Sequence, residues 1–195
     1  LVQNPLKLRE ALKRSFDTII ERSASSGNIT SNGQQIQAGS KIFQSQYNSA
    51  TWDGELFAYA LTSSGVSTTP AWKASEKLPT ANNRKIFTWK DATTKGIAFI
   101  WSSLSDAQKT ILTNENVLLY LRGDQSKEIQ NAGIFRTRSR LLGDIVHSSP
   151  YYVKDTDTVY AGGNDGMLHA FSATDGTELF AYIPSLIFDK LPALS

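Results

Sequence analysis

Cysteine is absent from all 195 residues, which removes disulfide frameworks, thiolate zinc sites and cysteine nucleophiles together. Histidine occurs only as His147 and His169. His147 stands beside Ser148 and Ser149, but neighbouring residues on a strand face opposite ways, and a triad is a matter of geometry rather than adjacency. His169 falls inside a strand pattern, so both histidines read as structural. No window is apolar enough, for long enough, to cross a membrane. Charge of one sign is lacking too: a formal net charge of +2 argues weakly for any partner, and nucleic acid is not expected. No glycine-rich phosphate loop precedes a helix, and the acidic residues are scattered. Catalytic material is thin, and the reading is of a non-enzyme. Serine and threonine outnumber lysine and arginine about two to one, a composition suited to a secreted or surface protein.

What the chain does have is an internal copy. Asp53-Gly54-Glu55-Leu56-Phe57-Ala58-Tyr59 recurs as Asp165-Gly166-Met167-Leu168-His169-Ala170-Phe171, each followed by small residues and a glycine, Gly65 or Gly176. Repetition of a turn-plus-strand unit marks a repeat architecture. Asp-Gly is read here as supplying the positive φ of a hairpin turn. Both faces of each following strand are apolar, as in an inner strand of stacked four-stranded blades.

Asn4-Pro5 and the helical spacing of Leu8, Leu12, Phe16, Ile19 and Ile20 predict an amino-terminal helix over residues 1–26, the end of a preceding domain. A Ser/Gly/Asn/Gln stretch over 27–40 reads as a linker. With no initial Met, and a stop just after a strand, the chain is read as a piece cut from a longer protein. From Lys41 the period becomes two. Residues 41–47, 54–61, 70–73 and 85–89 are expected to form one blade. A helical insertion follows at about 104–122, with Ser105 and Gln108 as a capping box and a break near Asn114 that predicts two short helices. Residues 149–153, 158–161, 167–171 and 178–183 make four successive hairpin strands, a second blade. The fold class is therefore mainly β with inserted helices, a truncated partial β-propeller over 41–195.

Ala170, Gly176 and Phe180 stand where blades of the quinoprotein type carry Ala, Gly and Trp. More specific are Tyr120 to Asp124, Phe135-Arg136-x-Arg138, Leu142-Gly143-Asp144-Ile145-Val146-His147-Ser148-Ser149-Pro150, and Tyr160 to Phe171. On these motifs, over about Lys41 to Tyr182, the chain resembles the PilC/PilY family of type IV pilus tip-associated proteins. The resemblance implies a bacterial cell-surface protein, at the pilus tip or outer membrane, that supports pilus assembly, opposes retraction and mediates surface or host adhesion. Its implied partners are pilin or minor pilin subunits and a host receptor. It also implies that the opening helix ends a von Willebrand A-like domain. Some members bind calcium in a loop of close aspartates. Asp155-Thr156-Asp157 is the nearest approach here and lacks further acidic ligands, so no cofactor or metal is assigned to this stretch, and calcium is left to the rest of the full-length protein. Two rival readings share the blade repeat: a quinoprotein-type dehydrogenase, for which no acidic constellation is present, and an outer-membrane assembly scaffold.

The adhesion and partner-binding candidates are Arg122, Gly123 and Asp124, an RGD tripeptide, and Arg136, Arg138 and Arg140, a basic stripe if that segment is extended. Against them stand blander readings. Gly123 can simply end a helix, and the arginines can pair with carboxylates such as Asp124 and Asp144. The blade-structural set is Asp53, Gly54, Leu56, Ala58, Asp165, Gly166, Leu168, Ala170, Gly176 and Phe180. Trp52, Trp72, Trp89 and Trp101 are expected to plug gaps between sheets.

Overall fold

The structure, a computed structural model, describes residues 26–31, 39–48 and 51–195. The helix expected at the amino terminus lies outside the described residues, as does most of the stretch read as a linker. Within that stretch, however, Ser26–Ser31 forms a strand, β1. It pairs with β2 (Lys41–Asn48), which pairs with β3 (Asp53–Thr62), which pairs with β4 (Gly65–Lys73). Every pairing in this four-stranded sheet is antiparallel.

The fourth strand expected for this blade belongs elsewhere. β5 (Ile86–Asp91) and its hairpin partner β6 (Lys95–Ala98) join a second sheet, where β5 runs parallel to β10 (Glu178–Ile183). The cause is long-range. Just before β5, the Arg84 guanidinium reaches both carboxylate oxygens of Glu178 at 2.7 Å, and Thr88 donates to the Ile183 carbonyl at 3.0 Å. The rest of this six-stranded sheet is the expected hairpin series: β7 (Tyr151–Val153), β8 (Thr158–Gly162) and β9 (Leu168–Ser172) precede β10, all antiparallel. The fold is mainly β with inserted helices; neither sheet closes into a barrel, which is consistent with a partial propeller.

Both twin motifs lie on inner strands, β3 between β2 and β4, and β9 between β8 and β10. Leu56, Ala58, Phe43 and Trp72 of the first sheet meet Val159, Ala161, Phe171 and Ala173 of the second in one buried cluster, with Leu142 and Ile145 wedged among them. Removing an apolar side chain of this size from water contributes about 1.5–3 kcal/mol. A second cluster covers the far end of the six-stranded sheet. There Ile86, Ala181 and Ile183 pack under α1 (Asp106–Leu112) and α2 (Glu115–Leu121). Ser105 and Gln108 cap α1 reciprocally as expected, and Asn114 caps α2 by accepting from the Val117 amide at 3.3 Å. Of the tryptophans, Trp72 fills the gap between sheets and donates its indole N–H to the Ala173 carbonyl at 3.2 Å, and Trp101 is partly buried against the second cluster. Trp52 and Trp89 depart from the expectation and remain exposed.

Candidate functional site

The residues 141–144 are stitched between the two copies of the repeat. Gly54 donates its amide to the Leu142 carbonyl at 2.9 Å, while Gly143 donates to the Asp165 carboxylate at 3.1 Å. Asn164 closes the far side, donating to the Asp144 backbone carbonyl and, at 2.7 Å, to its side chain. There is no room for a Cβ on either glycine. One on Gly54 would lie 2.1 Å from the Gly143 oxygen, and one on Gly143 would lie 2.3 Å from the Asp165 nitrogen. This corrects the reading of Asp53-Gly54 as a turn with positive φ. Both residues already belong to β3, and the left-handed residue of the preceding turn is Trp52, with φ 53°. Gly54 is small so that the strap can pass. In the second copy the turn reading holds, with Gly166 at φ 84°.

Behind this strap runs a buried ionic chain. His169 lies 2.8 Å from Glu178 through Nδ1 and 3.0 Å from Asp165 through Nε2. Glu178 also receives the fork of Arg84, whose Nη1 donates to the Arg122 carbonyl at 3.2 Å. Burial alone pushes the His169 pKa down, but the Asp165 charge and the hydrogen bonds to Asp165 and Glu178 outweigh it and raise it to about 9. Burial likewise favours a protonated Glu178, yet hydrogen bonds from His169 and Arg84 hold it at about 2. Asp165 is lowered in the same way, the nearby His169 charge overcoming its burial. An imidazolium that gives both N–H groups to carboxylates has no lone pair with which to act as a base. The arrangement cements β9 to β10 and both to the strap.

The RGD tripeptide follows the local-bond alternative. Arg122 is 4% exposed, and its guanidinium donates to the carbonyls of Phe99, Ala81 and Arg84. Gly123, at φ 109°, ends α2, donating to the Tyr120 carbonyl at 2.8 Å. The Asp124 carboxylate accepts from the Ser126 amide.

Of the three following arginines two pair with carboxylates, though neither with that of Asp124 or Asp144. Arg138 binds the buried Glu128 at 2.7 Å and lies over the Tyr120 ring, 3.6 Å from its centroid. Arg140 reaches Asp53 at 3.2 Å, where Thr51 and Ser139 also donate. Arg136 is exposed and lines a cleft with Trp52, Asp53, Arg140, Asp144 and Asp165. Sequence reasoning missed Glu55, Arg84 and Glu128. Glu55 lies on the face of β3 opposite Leu56 and Ala58, so the two-residue period gave no signal for its burial. In the Asp155–Asp157 turn the Asp157 carboxylate accepts hydrogen bonds from the Tyr152 and Thr174 hydroxyls.

The chain is 32% identical, over 95% of its length and 17% of the relative's, to a type IV pilus biogenesis factor PilY1 homolog of Xylella fastidiosa (strain Temecula1). It is also 32% identical, over 95% of its length and 21% of the relative's, to the type IV pilus biogenesis factor PilY1 of Pseudomonas aeruginosa (strain PAK). The chain belongs to the PilY1 family. It spans about a fifth of the length of these PilY1 relatives. No family model and no solved structure matches it at a significant level. The stretch most specific to the PilC/PilY resemblance, Leu142 to Phe171, is the part that forms the strap and the β7–β9 hairpins, so the motif coincides with the junction of the two sheets. No helix among the described residues is long and apolar enough to cross a membrane.

Proposed function

We propose that this chain is part of a surface protein that supports type IV pilus biogenesis by binding rather than by catalysis, engaging pilin-like subunits and opposing pilus retraction. Identity of 32% over 95% of the chain to proteins named for pilus biogenesis carries this reading. The geometry supports it from a second side. The buried histidine is locked between two carboxylates, and the rigid junction between sheets suits a platform whose rims meet partners. Adhesion to surfaces or host cells is the finer part of the same proposal.

The test is removal of residues 41–195 from the full-length protein in its own bacterium, with an epitope tag to confirm export. Surface pili sheared from the cells should fall to near zero and return when the retraction motor is also inactivated. Pilus numbers equal to the parent strain would refute the proposal.

A further inference from the structure

We propose that the cleft beside the strap is a docking site for an acidic segment of a partner protein, with Arg136 and Arg140 taking its carboxylates and Trp52 forming an apolar lip. The inference gives the binding role proposed above a place and a chemistry, and its test does not depend on pili. The cleft is small, about 50 Å³, and open to solvent between residues 51–53, the strap and residues 136–140.

What the charged groups of the cleft have left to give decides the ligand. Three carboxylates line it, and all are engaged. Asp53 accepts from Thr51, Ser139 and Arg140; Asp144 accepts from Asn164; Asp165 accepts from His169 and the Gly143 amide. Of the three cations, Arg138 is also committed, to Glu128, to the carbonyls of Tyr120 and Asp124, and to the Tyr120 ring. Arg140 keeps 43% of its side chain exposed, with Nη1 3.2 Å from Asp53 and Nε 3.9 Å from Glu55. Arg136 is exposed, and its guanidinium makes no hydrogen bond or ion pair with the described residues. The cleft thus has donors to spare and its acceptors already met. A ligand rich in carboxylates answers that imbalance, because a guanidinium fork matches the two oxygens of a carboxylate. A cationic ligand would have to break existing pairs.

Trp52 supplies the second observation. It is 60% exposed, yet it sits in the left-handed region at φ 53°, held there by its amide donating to the Asn48 carbonyl at 2.8 Å. A bulky residue in that conformation is strained where glycine or asparagine would be accommodated more readily. Burial gives no reason for tryptophan there. Tryptophan and arginine, which line this cleft together, are the residue types that dominate binding energy at protein interfaces.

The probe is hexaglutamate, titrated into the folded protein while the Trp52 indole N–H signal is followed by NMR, with hexalysine and tripolyphosphate in parallel. Saturable movement is expected with hexaglutamate alone. Arg136→Ala and Trp52→Ala should each weaken binding at least tenfold, Arg136→Lys less, and Lys95→Ala, on the distant β6 hairpin, not at all. Circular dichroism checks that each variant folds, and Arg136→Lys serves if Trp52→Ala does not. Undiminished binding by Arg136→Ala, no indole movement at millimolar peptide, or equal movement with tripolyphosphate would each overturn the assignment. Normal pili in the deletion strain with intact peptide binding would remove the pilus function and leave the cleft standing.

Discussion

His169 has no exposed surface and faces a carboxylate through each ring nitrogen, so a neutral imidazole would leave one of those contacts without a proton. The charged form is therefore built into the folded state, and stability should depend on pH with a definite sign. For His169 the folded pKa, about 9, lies above its ordinary 6.5. Its contribution is complete below pH 6.5 and is lost as pH rises through 9. Glu178 runs the other way, from an ordinary 4.5 down to about 2, so its contribution is complete above 4.5 and is lost as pH falls toward 2. The two together place maximal stability between about pH 4.5 and 6.5. Urea midpoints measured from pH 3 to 10 should trace that dome. His169→Asn should flatten the alkaline limb and cost about 3–5 kcal/mol at pH 6, because buried carboxylates lose their cation. An alkaline slope identical in the variant would show that another group is responsible.

Among elements, the strap at 141–144 adds backbone hydrogen bonds to a junction between sheets otherwise packed through buried side chains such as Phe43, Trp72 and Phe171. Gly143→Ala would push a methyl group to 2.3 Å from the Asp165 nitrogen, against backbone that cannot swing aside. The expected loss is about 1–3 kcal/mol, read as a lower melting temperature, with β-sheet circular dichroism retained at 20 °C. An unchanged melting temperature would mean that the strap is slack. Much of this level was legible in the sequence because its causes are local. Two-residue alternation and turn residues placed β7–β10 to within about two residues, Ser105 and Gln108 announced the cap of α1, and the break near Asn114 announced a second helix, though not that Asn114 caps it. The illegible parts have distant or compositional causes. The segment Ser26–Ser31 is polar and looks like linker, yet it gains a ladder partner in β2. The attachment of β5 to β10 depends on Arg84 finding a glutamate 94 positions later, which no short window contains. The cleft was legible only in part. Arg136, Arg138 and Arg140 were visible as a group, but which of them stays uncommitted is decided by Glu128 and Asp53, brought in by the fold.

For the molecule as a whole, the two faces of the six-stranded sheet have different fates. One is covered by the first sheet and by α1 and α2. On the other, Tyr151 pairs in register with Tyr160, whose ring reaches Phe180 across the small Ala170 of β9, and Phe87, the register partner of Tyr182, continues the same face on β5. The Phe180 ring sits edge-on to Tyr160 at 6.2 Å and to Phe87 at 6.4 Å. Scattered exposed aromatics are ordinary, whereas a contiguous row with Tyr151 69% and Phe87 41% exposed is an apolar patch of the kind that takes up hydrophobic dyes. The folded chain should therefore raise the emission of anilinonaphthalene sulfonate well below its melting temperature. Phe87→Thr combined with Trp89→Thr keeps residues suited to a strand while removing two rings from this face, since both alternate with the buried Ile86 and Thr88. That double variant should lose at least half of the dye signal and shift the melting temperature by only a few degrees. A signal retained in full would place the dye elsewhere, and a collapse in melting temperature would mean that these rings pack more tightly than their exposure indicates.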